Sequence, residues 1–312
     1  MSSTVQKYLL SPPAPNTAAG FIDDSFAVVD LRRSRHGFSL ASSAVTQLPG
    51  GLVTPSFDSD NIEDPQELAE IILQTAEAAG LSNKKRWAVA LPEGVARTLV
   101  VVLESKPDSR RELDEVISWK IERIITTPPT DLRISRQRMS RIAGQERYLV
   151  TVARDDVISQ YESVFYALGW NTGLLLPRHL GEAQWLLWDD TPGDKLLVSA
   201  NRSGFTSVIT RNGEPVLVRP YTCEPESRTD ELHRFALYYR DRLAGTGEHV
   251  HLEGMLVIGS INPIEAQQAV SDALDSQPRL LDPTQFGIDL AGEAIDFDQL
   301  AGAAGLATLT WQ

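Results

Sequence analysis

The sequence predicts a two-lobed α/β protein with a small α/β subdomain inserted into its first lobe. Strand-like apolar runs alternate with amphipathic helix patterns along most of the 312 residues, as in proteins whose helices cover a sheet. A second series of strands and helices begins after Pro192-Gly193, a turn-forming pair. Between the two series, residues 87–129 predict a strand, a second strand and a helix that a double proline ends.

The composition limits the classes of function. The net charge is −13 and the isoelectric point about 4.9, which argues against nucleic acid as a partner because phosphate binding needs clustered Lys and Arg. Cys223 is the only cysteine, which excludes an internal disulfide and favours a reducing compartment. No apolar run approaches the roughly 20 residues that span a bilayer, and no signal-peptide pattern is present. We therefore expect a cytoplasmic protein without direct membrane insertion.

The first lobe is predicted at residues 20–95, after a flexible leader at residues 1–19 that is rich in small residues and proline. Asp64 is a helix cap, Pro65 suits the first helical position, and Gly80 ends the helix. Apolar patterns predict strands at residues 21–31, 37–45 and 87–91.

The inserted subdomain is predicted at residues 96–177. Its strands are expected at residues 98–103, 132–139 and 146–153, and its helices at residues 109–125 and 155–168. Pro128 and Pro129 prevent the first of these helices from continuing. A further helix, within residues 178–192, and a C-terminal helix, within residues 299–312, are expected to complete the first lobe.

The second lobe is predicted at residues 193–298. Asn212-Gly213 between two apolar runs is a strong hairpin signal. The expected strands are residues 195–199, 205–210, 215–219 and 255–258, and the expected helices are residues 227–243 and 263–274.

Several short segments, taken in their order and spacing, resemble one family. They are Leu91-Pro92 at a strand end, DEVISWKIE at 114–122, YLVTVAR at 148–154, ALGW at 167–170 and ALYYR at 236–240. Over roughly residues 20–312 the sequence resembles the PilM family of type IV pilus assembly. That family has an actin-like ATPase fold with ribonuclease H-like sheets, and it is related to FtsA and to the GspL cytoplasmic domain. The resemblance implies the same fold here.

The resemblance also implies a nucleotide site built from three turns. In the family's fold, two β-hairpins hold the phosphates through backbone N–H groups and an Asp that orients the metal, and a glycine-rich turn receives the adenine. Carried onto this chain, the nucleotide contacts would be Asp23, Asp24 and Ser25 in the first hairpin, Ser203, Gly204 and Thr206 in the second, and Gly259 and Ser260 in the third turn.

All three turns depart from the family's pattern. In the first hairpin, Gly20 stands where the family has an Asp, and Ile22 stands where it has a Gly. In the second hairpin, Ser199 stands at the Asp position and Asn201 at the Gly position. Ile261 would crowd an adenine, and the adjacent carboxylates of Asp23 and Asp24 would repel a triphosphate unless a metal is held. We therefore predict a degenerate ATPase that has no catalytic residue, no metal site and no cofactor.

The resemblance implies a docking function instead. In the family, a short N-terminal cytoplasmic peptide of the membrane protein PilN binds in a groove between the first lobe and the insertion. We expect a PilN-like peptide and other pilus or secretion platform components as partners, which would hold the protein at the inner membrane. The expected docking residues are Leu132, Ile134, Gln137, Met139, Leu174 and Leu176.

Other interpretations stay open. A divergent but active ATPase would bind Mg-ATP through Asp23 or Asp24, and its nucleotide state would gate partner binding. A sugar-kinase-like enzyme on the same fold is disfavoured because no catalytic base can be placed. His249 and His251 share one face of a strand, but a metal site needs a further ligand, so a polar strand entrance is favoured.

Overall fold

A computed structural model describes residues 14–35, 37–142, 144–244, 251–288, 290 and 295–311. These residues form two five-stranded α/β lobes and a three-stranded inserted sheet, so the predicted fold class is confirmed. Residues 1–13 of the predicted leader lie outside the described residues. The last part of that leader, from Thr17, belongs to a strand.

The first lobe begins with three antiparallel strands, β1 (Thr17–Ile22), β2 (Ser25–Ser34) and β3 (Gly37–Gln47). The strand predicted at residues 21–31 is divided by the tight turn Asp23-Asp24, because Asp tolerates the left-handed backbone that such a turn needs. Helix α1 (Pro65–Ala78) and strand β4 (Arg86–Leu91) follow. The Asp64 carboxylate accepts from two backbone N–H groups at the start of α1, as the sequence predicts.

The insertion contains β5 (Ala96–Leu103), α2 (Arg110–Glu122), β6 (Leu132–Ile142) and β7 (Gln145–Arg154). Its antiparallel sheet has the order β5-β7-β6, which leaves β6 at an edge. Ile117 and Ile121 of α2 pack against Val150 and Val152 of the central strand. Helix α3 (Asp155–Ala167) lies within the predicted insertion but packs with the core of the first lobe.

The chain then returns to the first sheet through β8 (Asn171–Pro177), which pairs in parallel with β4. The sheet order is β3-β2-β1-β4-β8, so β8 is also an edge strand. The single helix expected within residues 178–192 is divided into two short helices, α4 (Arg178–Glu182) and α5 (Gln184–Leu187).

The second lobe repeats the arrangement of the first. Its sheet has the order β11-β10-β9-β12-β13, with two helices following the strands as predicted. In chain order the elements are β9 (Asp194–Asn201), β10 (Gly204–Arg211), β11 (Glu214–Thr222), α6 (Arg228–Ala244), β12 (Leu252–Ile258), α7 (Pro263–Leu274) and β13 (Arg279–Leu280).

The C-terminal helix α8 (Phe297–Thr308) lies between the lobes and is fully buried from Leu300 to Thr308. It shares one apolar cluster with Ala18 and Ala90 of the first sheet and with Leu197 and Leu256 of the second. Small residues let it approach α4, since a Cβ at Gly305 would come 1.9 Å from the Gly181 carbonyl oxygen. The helix therefore fixes the two lobes to each other.

Candidate functional site

A cleft of about 720 Å³ lies between the lobes and the insertion, within the size range of small-ligand sites. The turns after β1 and β9 reach it, and so does the segment after β4. Four of the predicted nucleotide contacts line the cleft: Asp23, Asp24, Ser203 and Thr206. The other four, Ser25, Gly204, Gly259 and Ser260, lie outside its lining.

The first hairpin turn carries its two carboxylates at the mouth of this cleft. Asp23 has a positive φ of 47°, and Ser25 turns away to donate to the Gln47 side chain at 3.3 Å. Gly20, where the family's pattern expects an Asp, is buried in β1. A Cβ there would already stand 3.2 Å from the Cβ of Ala303 in α8, so the interlobe helix occupies the space that a carboxylate would need.

The turns of the two predicted phosphate hairpins are bonded directly to each other. The backbone N–H of Arg202 donates to the Asp23 carboxylate at 2.9 Å. The Arg202 guanidinium forms an ion pair with Asp24. Both acidic side chains of the first turn are thus engaged by a residue of the second lobe.

The glycines of the second and third turns serve the packing of the strands. Gly204 has a φ of 146°, and a Cβ on it would come 1.9 Å from the Tyr221 carbonyl oxygen of β11. Gly259 has a φ of 91°, and its Cβ would come 2.2 Å from the Ala200 carbonyl oxygen. Both distances are far shorter than van der Waals contact, so a side chain is excluded at both positions whether or not a phosphate binds.

Arg228, the first residue of α6, links the second turn to the third. Its guanidinium donates to the carbonyl oxygens of Asn201 and Arg202 and to the backbone and side chain of Ser260. The side chain is 3% exposed. A buried guanidinium therefore bridges the second phosphate turn and the predicted adenine turn, a link that the sequence did not predict.

A buried polar network below the turns was also not predicted. Glu93 follows β4, and its carboxylate lies 2.7 Å from Nδ1 of His179 in α4. Thr206 of the second lobe donates to the other oxygen of Glu93 at 2.9 Å. Nε2 of His179 lies 2.8 Å from the Thr98 hydroxyl in β5. Glu93 and His179 thus connect both lobes and the insertion.

The electrostatics of this network keep Glu93 ionised. Burial by itself raises the pKa of Glu93, but His179, Arg178 and Thr206 more than offset it and lower that pKa to about 2. Arg178 also pairs with Glu182 at 2.9 Å, with both side chains at most 2% exposed. Burial raises the pKa of the Glu182 carboxyl despite this pair. Glu93 and His179 therefore form a buried structural hub, although Nε of Arg178 and one carboxylate oxygen of Glu182 make no hydrogen bond.

A sequence signal for the hub does exist. β4 and β8 are parallel neighbours, and polar residues come directly after each of them: Glu93 after Leu91-Pro92, and Arg178-His179 after Pro177. Because the carboxyl ends of parallel strands lie at one edge of a sheet, the parallel pairing of β4 and β8 places these side chains close together. The strand β8 was not assigned from the sequence, so the signal was missed.

A second, smaller cavity of about 150 Å³ lies between the insertion and the end of the first lobe. Three predicted docking residues line it: Gln137, Met139 and Leu176. Leu132 and Ile134 alternate with them along β6 and pack with α2 on the opposite face. Leu174 is half-buried in β8 and packs toward α8. We call this cavity, with its edge strands β6 and β8, the groove.

One end of the groove is closed by the β10–β11 turn of the second lobe. The Glu214 carboxylate accepts from the backbone N–H of Ser140 at 2.9 Å and from its hydroxyl at 3.0 Å. Arg147 donates to the Pro215 carbonyl oxygen at 3.0 Å. The groove therefore adjoins the second lobe as well as the first lobe and the insertion that were predicted to form it.

Two further expectations concern a metal site at the histidines and a membrane span. His249 lies outside the described residues, and His251 contacts Glu253 at 3.2 Å. Within the described ranges, His, Cys, Asp and Glu side chains nowhere gather in groups of three suited to a metal ion. Among the helices in the described part of the chain, none combines the length and the apolar character required to span a membrane.

Comparison with solved structures places this fold. A PilM–PilN type IV pilus biogenesis complex matches with a TM-score of 0.73 over 96% of this chain and 100% of that chain, at 15% identity. The chain has the PilM-like fold.

Two further structures match with lower TM-scores. The cytoplasmic domain of EpsL, an inner-membrane component of the Vibrio cholerae type II secretion system, has 12% identity and a TM-score of 0.49 over 91% of this chain and 97% of its own. A Bacteroides thetaiotaomicron protein with an actin-like ATPase fold has 10% identity and a TM-score of 0.47 over 99% of both chains. By sequence, no protein-family model and no curated protein matches the chain. The PilM-like fold is assigned on the first structure.

Proposed function

We propose that this protein is a cytoplasmic docking scaffold of a type IV pilus or related secretion machine. It binds a short N-terminal peptide of a PilN-like inner-membrane protein in the groove, which holds it at the membrane, and it does not hydrolyse ATP. The observation that carries the proposal is the direct bond between the Asp23-Asp24 turn and Arg202. This bond occupies the Asp23 and Asp24 carboxylates and the Arg202 backbone N–H, the groups that a magnesium nucleotide would need in these two turns.

The residues present do not fit a magnesium nucleotide in this arrangement. Both carboxylates that could orient the metal already pair with Arg202. The Arg228 guanidinium bridges the second and third turns, where the family's fold would place the nucleoside. Gly20 and Ser199 supply no carboxylate at the positions where the family's pattern has one. These features support a pocket whose groups hold the lobes together.

The groove supports the docking part of the proposal. β6 and β8 are both edge strands, so each has one side without a neighbouring strand, where an extended peptide can add. On β6 the Ser140 N–H already donates to Glu214, so β8 offers the less obstructed edge. Leu174, Leu175 and Leu176 are half-buried on β8, which is unusual for an apolar run at an edge. An extended peptide would gain backbone hydrogen bonds from the edge and would bury these leucines. The complex that shares this fold contains PilN.

The test is binding of a labelled synthetic peptide with the N-terminal sequence of a PilN-like protein from the same organism. Gln137→Arg, which places a long charged side chain in the groove, is expected to weaken binding at least tenfold. The matched control is Arg138→Gln, one residue along β6 on the opposite face, where Arg141 still pairs with Glu146. If the peptide does not bind, or binds both variants equally, the docking proposal is wrong.

A divergent, active ATPase is the second candidate, and the interlobe cleft favours it. About 720 Å³ remains beside Asp23 and Asp24, which is enough for a small ligand. Turnover would require the two hairpin turns to separate first. A phosphate-release assay decides between the candidates. Release of phosphate that is abolished by Asp23→Ala and by Asp24→Ala would favour the ATPase, whereas no release above background supports the scaffold.

A further inference from the structure

The start of the described chain is anchored beside the groove. The Ala14 carbonyl oxygen accepts from the Thr310 hydroxyl, in the turn that follows α8. Pro15 is buried, and a Cβ built on Gly173 of β8 would stand 3.3 Å from its ring. Asn16 donates to Asp30 at 2.8 Å. Residues 14–16 therefore enter the first lobe over the outer strand β8.

The groove lies within a few residues of that anchor. Leu309, which lines the groove, is the neighbour of Thr310. Leu176, which also lines it, is three residues beyond Gly173 on β8 and about 10 Å along the strand. Leu309 belongs to the same apolar cluster as Leu174 and Leu176. The anchor and the groove thus share one face of the first sheet.

The preceding residues carry an apolar run that could fill the groove. Val5, Tyr8, Leu9 and Leu10 are apolar, and Lys7 is the only charged side chain before Asp23, in a chain of net charge −13. From Leu10 to Ala14 the chain can extend at most about 14 Å, which is more than the roughly 10 Å from Gly173, beside the anchor, to Leu176 along β8.

We propose that residues 5–10 of this chain occupy the groove in cis and compete with the partner's peptide. The competition with a partner peptide rests on the docking function proposed above, whereas the occupation of the groove by residues 5–10 does not. The added segment would pair with the free edge of β8 and cover its half-buried leucines. The scaffold would thereby carry its own competitor, and a partner peptide would have to displace it.

The expected size of the competition follows from the tether. A short flexible tether holds a segment at an effective concentration of about 1 mM. If the isolated segment binds with a Kd of about 0.1 mM, the tethered copy weakens a competing peptide by about tenfold. Removing the segment should therefore raise the partner's affinity by about that factor.

The experiment uses a fluorescent synthetic peptide of residues 1–13 and three forms of the protein: the full chain, a deletion of residues 1–13, and the full-length double variant Leu9→Asp, Leu10→Asp. The labelled peptide is expected to bind the deletion variant and the double variant about tenfold more tightly than the intact chain. The double variant keeps the chain length, so the result does not depend on the folding of the deletion variant.

Substitution in the groove locates the binding. Gln137→Arg in the deletion variant should weaken the peptide at least tenfold, whereas Arg138→Gln on the opposite face of β6 should leave it unchanged. Equal binding to the intact chain and both N-terminal variants, no binding at all, or insensitivity to Gln137→Arg would each overturn the proposal.

The PilN-like peptide, measured on the same proteins, separates the two proposals. If it binds the groove of the deletion variant while the peptide of residues 1–13 does not, the competition is refuted and the docking function stands. If the peptide of residues 1–13 binds the groove and the PilN-like peptide does not, occupation of the groove by the chain itself stands and the proposed function fails.

Discussion

The backbone N–H of Arg202 donates to the Asp23 carboxylate at 2.9 Å, which joins a turn of the second lobe to a turn of the first. The Arg202 side chain adds an ion pair with Asp24. Both contacts cross the mouth of the interlobe cleft. The turns of the two hairpins are therefore joined at the place where the family resemblance would put the phosphates of a nucleotide.

Arg202→Ala should loosen this closure without unfolding the protein. The Arg202 side chain is 69% exposed in its ion pair, so thermal stability should change little. Faster amide hydrogen exchange is expected at residues 22–25 and 201–204, because the two turns lose their side-chain link. Arg234→Ala is the matched control, since Arg234 is 62% exposed and pairs with Glu231 inside one helix. Equal exchange in the two variants would contradict the role given to Arg202.

Glu93→Gln should destabilise the whole structure. The substitution removes a buried charge that contacts His179 and Thr206 and so connects both lobes. We expect the free energy of unfolding, from urea denaturation, to fall by about 3 kcal/mol at neutral pH. Glu253→Gln removes the carboxylate of an exposed His–Glu contact and should change it by less than about 0.5 kcal/mol. Similar values for both variants would refute the hub.

The same carboxylate predicts a pH dependence. Its pKa is about 2 in the folded protein and 4.5 without the fold, so the folded state holds this proton less tightly. Glu93 therefore stabilises the protein above pH 4.5, and this contribution is lost as the pH falls from 4.5 toward 2. The difference in unfolding free energy between wild type and Glu93→Gln should be constant above about pH 5.5 and smaller at pH 3. A difference that grows on acidification would contradict the assignment.

Gly204→Ala should be strongly destabilising even if no nucleotide ever binds. A Cβ at this position meets the Tyr221 carbonyl oxygen at 1.9 Å, and its φ of 146° is unfavourable for alanine. We expect a loss of at least about 2 kcal/mol in unfolding free energy or a failure to fold. Gly50→Ala, with nothing within 4 Å of the added Cβ, should be nearly neutral. A stable Gly204→Ala protein would show that the close strand approach is not required.

Local patterns predicted the elements well where local chemistry determines them. The helix at residues 263–274 has its predicted bounds because the Asn262 side chain caps it and Pro263 suits its first position. The tight turn of the first hairpin was not predicted, because Asp23 adopts a left-handed backbone conformation that glycine usually provides. Likewise, β8 is short and half-buried, without the alternation of polar and apolar residues that identifies an edge strand.

Contacts between distant segments could not be predicted from one sequence. Glu93 and His179 are 86 positions apart, and Asp23 and Arg202 are 179 apart. The family resemblance indicated the region of the groove, but it did not indicate which face of β6 lines it. The set Leu132, Ile134, Gln137 and Met139 mixes two faces of β6, because side chains alternate along a strand.

The central claim is that the two hairpin turns of this PilM-like fold bond to each other and that the cleft does not bind a nucleotide. Isothermal titration of the full chain with Mg-ATP tests it most directly. We predict no measurable heat of binding for the wild-type protein. Binding of Mg-ATP to the wild-type protein with micromolar affinity would contradict the account.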